Sequence, residues 1–217
     1  MKNVFLLLSI ICLVIISNAY GAGITLSAPF ADGGVNLQQG WYYHPDMGGG
    51  LHLGGGFDYV LGPINQSAQW KPFIVLSAHD GTAKYLTGTN GGLGNHVKVT
   101  ITIAGVVYQT TYAHLQSSLL PVGVDVSVSR GGILGISGNT GNPDYKVHLH
   151  FVFKINGSSV DPYGVYKNRD YYPENGGSCG NTVYWTECPP IPLAPKLVSY
   201  RGNTPQNDRN PYGWFQS

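Results

Sequence analysis

Apolar and polar residues alternate in short runs along most of this chain, and turn residues interrupt the runs at close intervals. Residues 96–103 carry Val97, Val99, Ile101 and Ile103 at every second position, the period of a half-buried strand. Ala104-Gly105 turns the chain into 106–114, which is rich in Val, Tyr and Thr. Residues 73–78 are an apolar run, Asp80-Gly81 follows, and 82–86 is a second run; Asp-Gly between two such runs predicts a hairpin. Short strands are predicted at 122–128 and 133–136. Residues 147–155 alternate again and end at Asn156-Gly157, another hairpin signal. After residue 22 a 3.6-residue period is absent, and a turn of helix is expected at most near 113–119. Such spacing predicts an all-β fold, an antiparallel sandwich or barrel-like sheet with long Gly-rich loops.

The two ends depart from this pattern. Residues 4–16 form one apolar run broken only by Ser9, behind the single positive charge of Lys2. A bilayer span needs about 20 residues, so the run fits a secretory signal peptide over 1–21, with cleavage after Ala19 or Gly21. Bulky Ile11 before Cys12 argues against a lipidated cysteine. Export to the periplasm or the medium is therefore expected, with no membrane span once the signal is removed. The segment 22–166 reads as the folded domain. The tail, 167–217, holds 7 of the 14 prolines together with Tyr184, Trp185 and Trp214. It also holds Cys179 and Cys188, and an even cysteine count in an exported chain favours a disulfide between them. The tail aromatics are expected to pack it onto the domain.

Composition narrows the function. Charged residues make up 11% of the chain, against about 25% in an average globular protein. Without Lys2, 11 basic residues balance 11 acidic ones, which argues against a nucleic-acid binder. Candidate chemistry rests on the histidines. In His148-Leu149-His150-Phe151 a strand would send both imidazoles to one face and Leu149 and Phe151 into the core. That suits one metal ligand beside one acid–base group. His52 and Asp58, joined by a glycine-rich loop, can fold onto one ion, since zinc accepts neutral imidazole nitrogen and carboxylate oxygen. His114 closes a predicted strand. His44 is a further candidate ligand. His79 reads as a strand-end surface group, His96 as a local hydrogen-bonding group, and Tyr59 as core.

Taken in order, these pieces resemble a known family. Gly50-Leu51-His52 with Phe57-Asp58-Tyr59, then Ala78-His79-Asp80-Gly81-Thr82, Gly94-Asn95-His96-Val97, Tyr112-Ala113-His114-Leu115, Gly138-Asn139-Thr140-Gly141, His148-Leu149-His150-Phe151 and Val160-Asp161-Pro162 are similar to the lysostaphin-type (LytM-like) zinc metallopeptidases. These cut peptides of bacterial peptidoglycan on a duplicated hybrid motif fold. The resemblance covers about residues 25–165. It implies one Zn2+ held by His52, Asp58 and His150, with His114 and His148 as catalytic histidines, in a monomer whose partners are peptidoglycan peptides. Three protein ligands leave a fourth position for water, whose pKa zinc lowers to about 7. One departure falls on the ligand loop. Five residues separate His52 from Asp58 where the family has three, and the strict position is Gly54. Elastase-like (LasA-type) relatives carry a still longer loop there, so an insertion is compatible with a closed site. Loss of the first ligand would instead make a non-hydrolytic wall-binding or amidase-activating module, and a third reading is a secreted protease of Gly-rich proteins. Lys146-Val147 and Val152 replace the Gly-Pro and Glu common around the family's paired histidines.

Overall fold

The computed structural model describes residues 23–43, 48–64, 66–88, 92–169, 172 and 184–186. Eleven strands lie in this part: β1 (Val35–Gln39), β2 (Gly56–Leu61), β3 (Ile74–Leu76), β4 (Gly81–Leu86), β5 (His96–Ile103), β6 (Val106–Ala113), β7 (Ser117–Ser118), β8 (Asp125–Val128), β9 (Ile133–Ile136), β10 (Leu149–Ile155) and β11 (Ser158–Ser159). A short 3-10 turn, Ser67–Gln69, lies between β2 and β3. The large sheet runs β1-β2-β10-β6-β5-β4-β8, with β11 paired to β10, and the small sheet runs β3-β9-β7. Every strand pair is antiparallel. The all-β antiparallel expectation holds.

The hairpins at Ala104-Gly105 and Asn156-Gly157 form as the turn residues predict, joining β5 to β6 and β10 to β11. Their first turn residues, Ala104 and Asn156, sit at φ 49°. Asp80-Gly81 does not make a hairpin. β3 pairs with β9, and β4 pairs with β5 and β8. Contacts from far along the chain decide this. Ser77 N donates to Gly132 O, Gly131 N donates to Ser77 O, and Asp80 Oδ1 accepts from Arg130 N at 2.8 Å. The Asp-Gly step therefore carries the chain from the small sheet to the large one. Nor does 113–119 form a helical turn. Leu115 N donates to Asn95 O and Gln116 N to Ile136 O, so the backbone is already paired across the sheets. The predicted 122–128 strand shortens to β8 because Gly123, at φ 74°, turns the chain and donates to Tyr85 O.

One buried cluster joins the sheets. Val97, Tyr112, Phe151 and Tyr59 of the large sheet share it with Val75 and Leu134 of the small one. β2 and the first half of β10 are buried on both faces, which their near-continuous apolar composition allows. Of the tail, Trp185 is 4% exposed and packs on Phe151 and Tyr163 at 5.8 and 5.4 Å, and Tyr184 packs on Phe153. These two rings return to the domain as expected. Residues 1–22, where a signal peptide is expected, and His44, Cys179, Cys188 and Trp214 lie outside the described residues. Among the described residues no helix is long and apolar enough to cross a membrane.

Candidate metal centre and cleft

Strand register assembles the site. Asp58 on β2 stands directly opposite His150 on β10, and also opposite Gln39 on β1. His150 in turn stands opposite Ala113 of β6, and His114 follows immediately. Leu149 and Phe151 point the other way into the core, with no exposed surface. The alternation that makes the core thus aims the polar residues at one another.

His52 reaches the same spot from the loop before β2. The longer loop closes on itself: Gly55 N and Gly56 N both donate to His52 O, at 2.7 and 3.0 Å. Gly54 and Gly55 adopt φ 79° and 81°, a region that favours glycine. Ser159 Oγ on β11 donates to Gly54 O and anchors the turn. His52 is left buried, with Nδ1–H shared between Gly40 O at 3.1 Å and Gly56 O at 3.0 Å. These carbonyls fix the tautomer and direct Nε2 at Asp58 Oδ2, 3.4 Å away. Gly56 also makes room for the second imidazole, since a Cβ there would fall 2.3 Å from the His150 ring.

His150 Nδ1 lies 2.9 Å from Asp58 Oδ1. One ligand atom each from His52, Asp58 and His150 lies within 4.8 Å of the others, and all three residues are buried. Donor atoms 2.0–2.2 Å from a tetrahedral ion sit roughly 3.3–3.6 Å apart, the spacing this cluster approaches. Burial by itself raises the Asp58 carboxyl, but the neighbouring His52 and His148 imidazoles and the hydrogen bond from His150 outweigh it and hold the group well below the usual carboxylate range. Burial holds His150 below the usual imidazole value. A carboxylate oxygen between two imidazole nitrogens is a donor set for a divalent metal ion.

Beside this cluster stand the other two predicted histidines. His148 donates Nδ1–H to Lys146 O at 2.6 Å, and its Nε2 is 3.8 Å from Asp58 Oδ1. His114 adopts φ 62° and is over-determined there: its N donates to Leu93 O, and its Nδ1–H donates to Thr140 O at 2.9 Å. Thr140 belongs to the Gly-x-Thr-Gly loop, and its hydroxyl accepts from Asn95 N and donates to Leu115 O. His114 Nε2 is buried without a partner among the described residues, and the ring centroid is 4.6 Å from that of His148. Burial pushes the His114 imidazole down to about 2.

A cavity of about 190 Å3 opens over the centre, lined by His52, Asp58, His148, Gln39, Tyr43 and Tyr145 among others. The last three are absent from the sequence-based site. Tyr145 stacks edge-on to His114 at 4.6 Å, and Tyr43 to His52 at 5.0 Å. Burial raises both phenols, Tyr43 to about 12. No spacing rule links either tyrosine to the histidines it touches. His79 corrects an expectation: it is 1% exposed, with Nε2 3.0 Å from Thr110 Oγ1, which donates on to Tyr112 Oη. His96 hydrogen-bonds locally to Gly94 O, and Tyr59 lies in the core, both as expected.

An antiparallel β domain with a His-Asp-His centre flanked by two further histidines is the architecture the sequence motifs implied. Residues 66–162 match the model of Peptidase family M23, so this stretch of the chain is similar to that family. The match includes His114, His148 and His150; His52 and Asp58 precede it and are brought in by the loop and strand β2. An uncharacterized metalloprotease of Haemophilus influenzae is 38% identical over 91 residues, 42% of this chain and 18% of the relative, so the chain spans less than a fifth of that protein. Among solved structures, the SpoIIIAH–SpoIIQ complex superposes with a TM-score of 0.50 at 20% identity, over 64% of this chain and 97% of that one, a likeness of fold. Lysostaphin from Staphylococcus simulans gives 0.47 at 26% identity, over 65% and 52% of the two chains. A zinc-containing peptidase from Vibrio cholerae gives 0.46 at 25%, over 63% and 39%.

Proposed function

We propose that this chain is an exported zinc metalloendopeptidase that hydrolyses peptide bonds of bacterial peptidoglycan. The observation that carries the reading is the convergence of His52, Asp58 and His150 despite the longer loop between the first two. A non-hydrolytic module would follow from loss of the first ligand, and His52 Nε2 stands at Asp58. Zinc, when bound, supplies a Lewis acid for the scissile carbonyl and brings the pKa of a water close to neutrality.

The chain's own groups divide by protonation. His148 and His114 both commit Nδ1–H to backbone carbonyls, so proton exchange at the cleft belongs to Nε2. His148 lines the cavity, which supports assigning to it the proton taken from the attacking water and returned to the leaving amine. His114 packs behind it as a neutral imidazole. Tyr43 and Tyr145 stay protonated and can donate to the oxygen that gains charge.

The test is digestion of purified peptidoglycan sacculi by the zinc-loaded mature protein, with released fragments identified by mass spectrometry. Cleavage within the peptides, abolished by chelation, is expected. His148→Ala should lower kcat by about 10²–10⁴-fold while retaining zinc. Zinc-loaded protein that releases nothing from sacculi would refute the reading, and cleavage of an elastin-like substrate alone would replace it with the secreted-protease one.

A further inference from the structure

The cleft contains one polar group that the scheme above leaves idle. Gln39, the last residue of β1, is 1% exposed, and its Nε2 has no hydrogen-bond partner among the described residues. A buried donor without a partner destabilises a fold, and this one faces an open cavity, so it points to a ligand that completes it.

Its orientation comes from a distinct local device. Leu37 pairs with Tyr59 and Gln39 with Asp58, so β1 has one residue more than β2 between these pairs. In a regular strand Leu37 and Gln39 would share a face. The bulge at Gln38 instead puts Leu37 on the core face with Tyr59 and Gln39 on the cleft face with Asp58. Directly paired residues on one face have Cβ atoms about 4.5–5.5 Å apart, and both side chains line the cavity. The neighbourhood restricts what can stand there. A lysine or arginine would compete with the metal for Asp58, and a second carboxylate would repel it. An uncharged donor is compatible with the centre, and the acceptor it suits is an uncharged carbonyl.

On the peptidase reading, we infer that Gln39 is a substrate-binding residue whose side-chain amide donates a hydrogen bond to a main-chain carbonyl of the bound peptide. Gln39→Met keeps the length of the side chain and removes the donor. Three quantities are compared with the wild type: the thermal midpoint, zinc affinity by chelator competition, and kcat and KM on soluble wall peptides and Gly-rich peptides. The midpoint is expected to be unchanged or raised, zinc affinity to stay within about twofold, and KM to rise by about tenfold. A midpoint lowered by several degrees would make Gln39 a structural residue and overturn the inference. A wild type that binds zinc and cleaves none of these peptides refutes the peptidase reading and this inference with it. A cleaving wild type whose KM is matched by Gln39→Met refutes this inference alone.

Discussion

Single atoms decide whether this centre closes. Gly56 has no side chain because the His150 imidazole occupies the space, and a methyl group there would sit 2.3 Å from the ring. Gly56→Ala should therefore lower zinc affinity by roughly 10–100-fold, read by chelator competition, as expected when a residue that orients a ligand is disturbed. An unchanged affinity would mean that His150 is free to move and that register alone does not set the site. The histidine roles separate at the same scale. If His148 exchanges the proton and His114 supports it, His148→Ala should reduce kcat more than His114→Ala, with zinc content equal in both by metal analysis. The reverse order would exchange their roles.

At the scale of elements, strands supply alternation and loops supply what alternation cannot. The His148-Leu149-His150-Phe151 strand was legible because period 2 separates a core face from a polar face, and the structure keeps that separation. Tyr145 and Tyr43 were not legible, because they meet His114 and His52 through loops whose path no local pattern specifies. Gln39 was hidden by the bulge, which shifts side-chain direction without leaving a mark in composition. Asp80-Gly81 misled for a related reason, since a hairpin signal is local and the pairing of β3 with β9 is not. One loop has a further consequence for the site. Asp161 accepts from Tyr163 N, Val165 N, Tyr166 N and Tyr172 Oη, and Tyr172 Oη accepts from Trp41 N. The Tyr172 ring also abuts Gly40, whose carbonyl orients His52. Asp161→Ala should cost at least about 3 kcal/mol of stability in denaturant unfolding, because several charge-assisted bonds are lost together. It should also weaken zinc binding. A loss of stability with no change in zinc affinity would separate this loop from the centre.

Across the whole molecule, the all-β class, the two closed hairpins and the residues of the centre could be read from sequence, whereas the division into two sheets could not. The burial of His79 belongs to that division, because it lies at the crossing from the small sheet to the large one and is enclosed by Thr110 and Tyr112. Burial lowers its pKa below the usual imidazole value. The unfolded chain therefore takes up a proton near pH 6.5 while the folded chain does not, and stability present above that pH is lost as pH falls toward the depressed value. His79→Gln, which can still pair with Thr110, should narrow the difference between thermal midpoints at pH 7.5 and pH 5. A difference equal to that of the wild type would assign the acid sensitivity elsewhere, with His114 the next candidate.

The proposed activity depends on a metal ion held jointly by a loop histidine, a β2 carboxylate and a β10 histidine. Zinc titration of the purified chain alongside His52→Ala tests this most directly. One equivalent should bind tightly to the wild type, and affinity should fall by at least about a hundredfold in the variant. A chain that takes up no zinc, or a variant that binds it as tightly as the wild type, would contradict a centre formed by His52, Asp58 and His150.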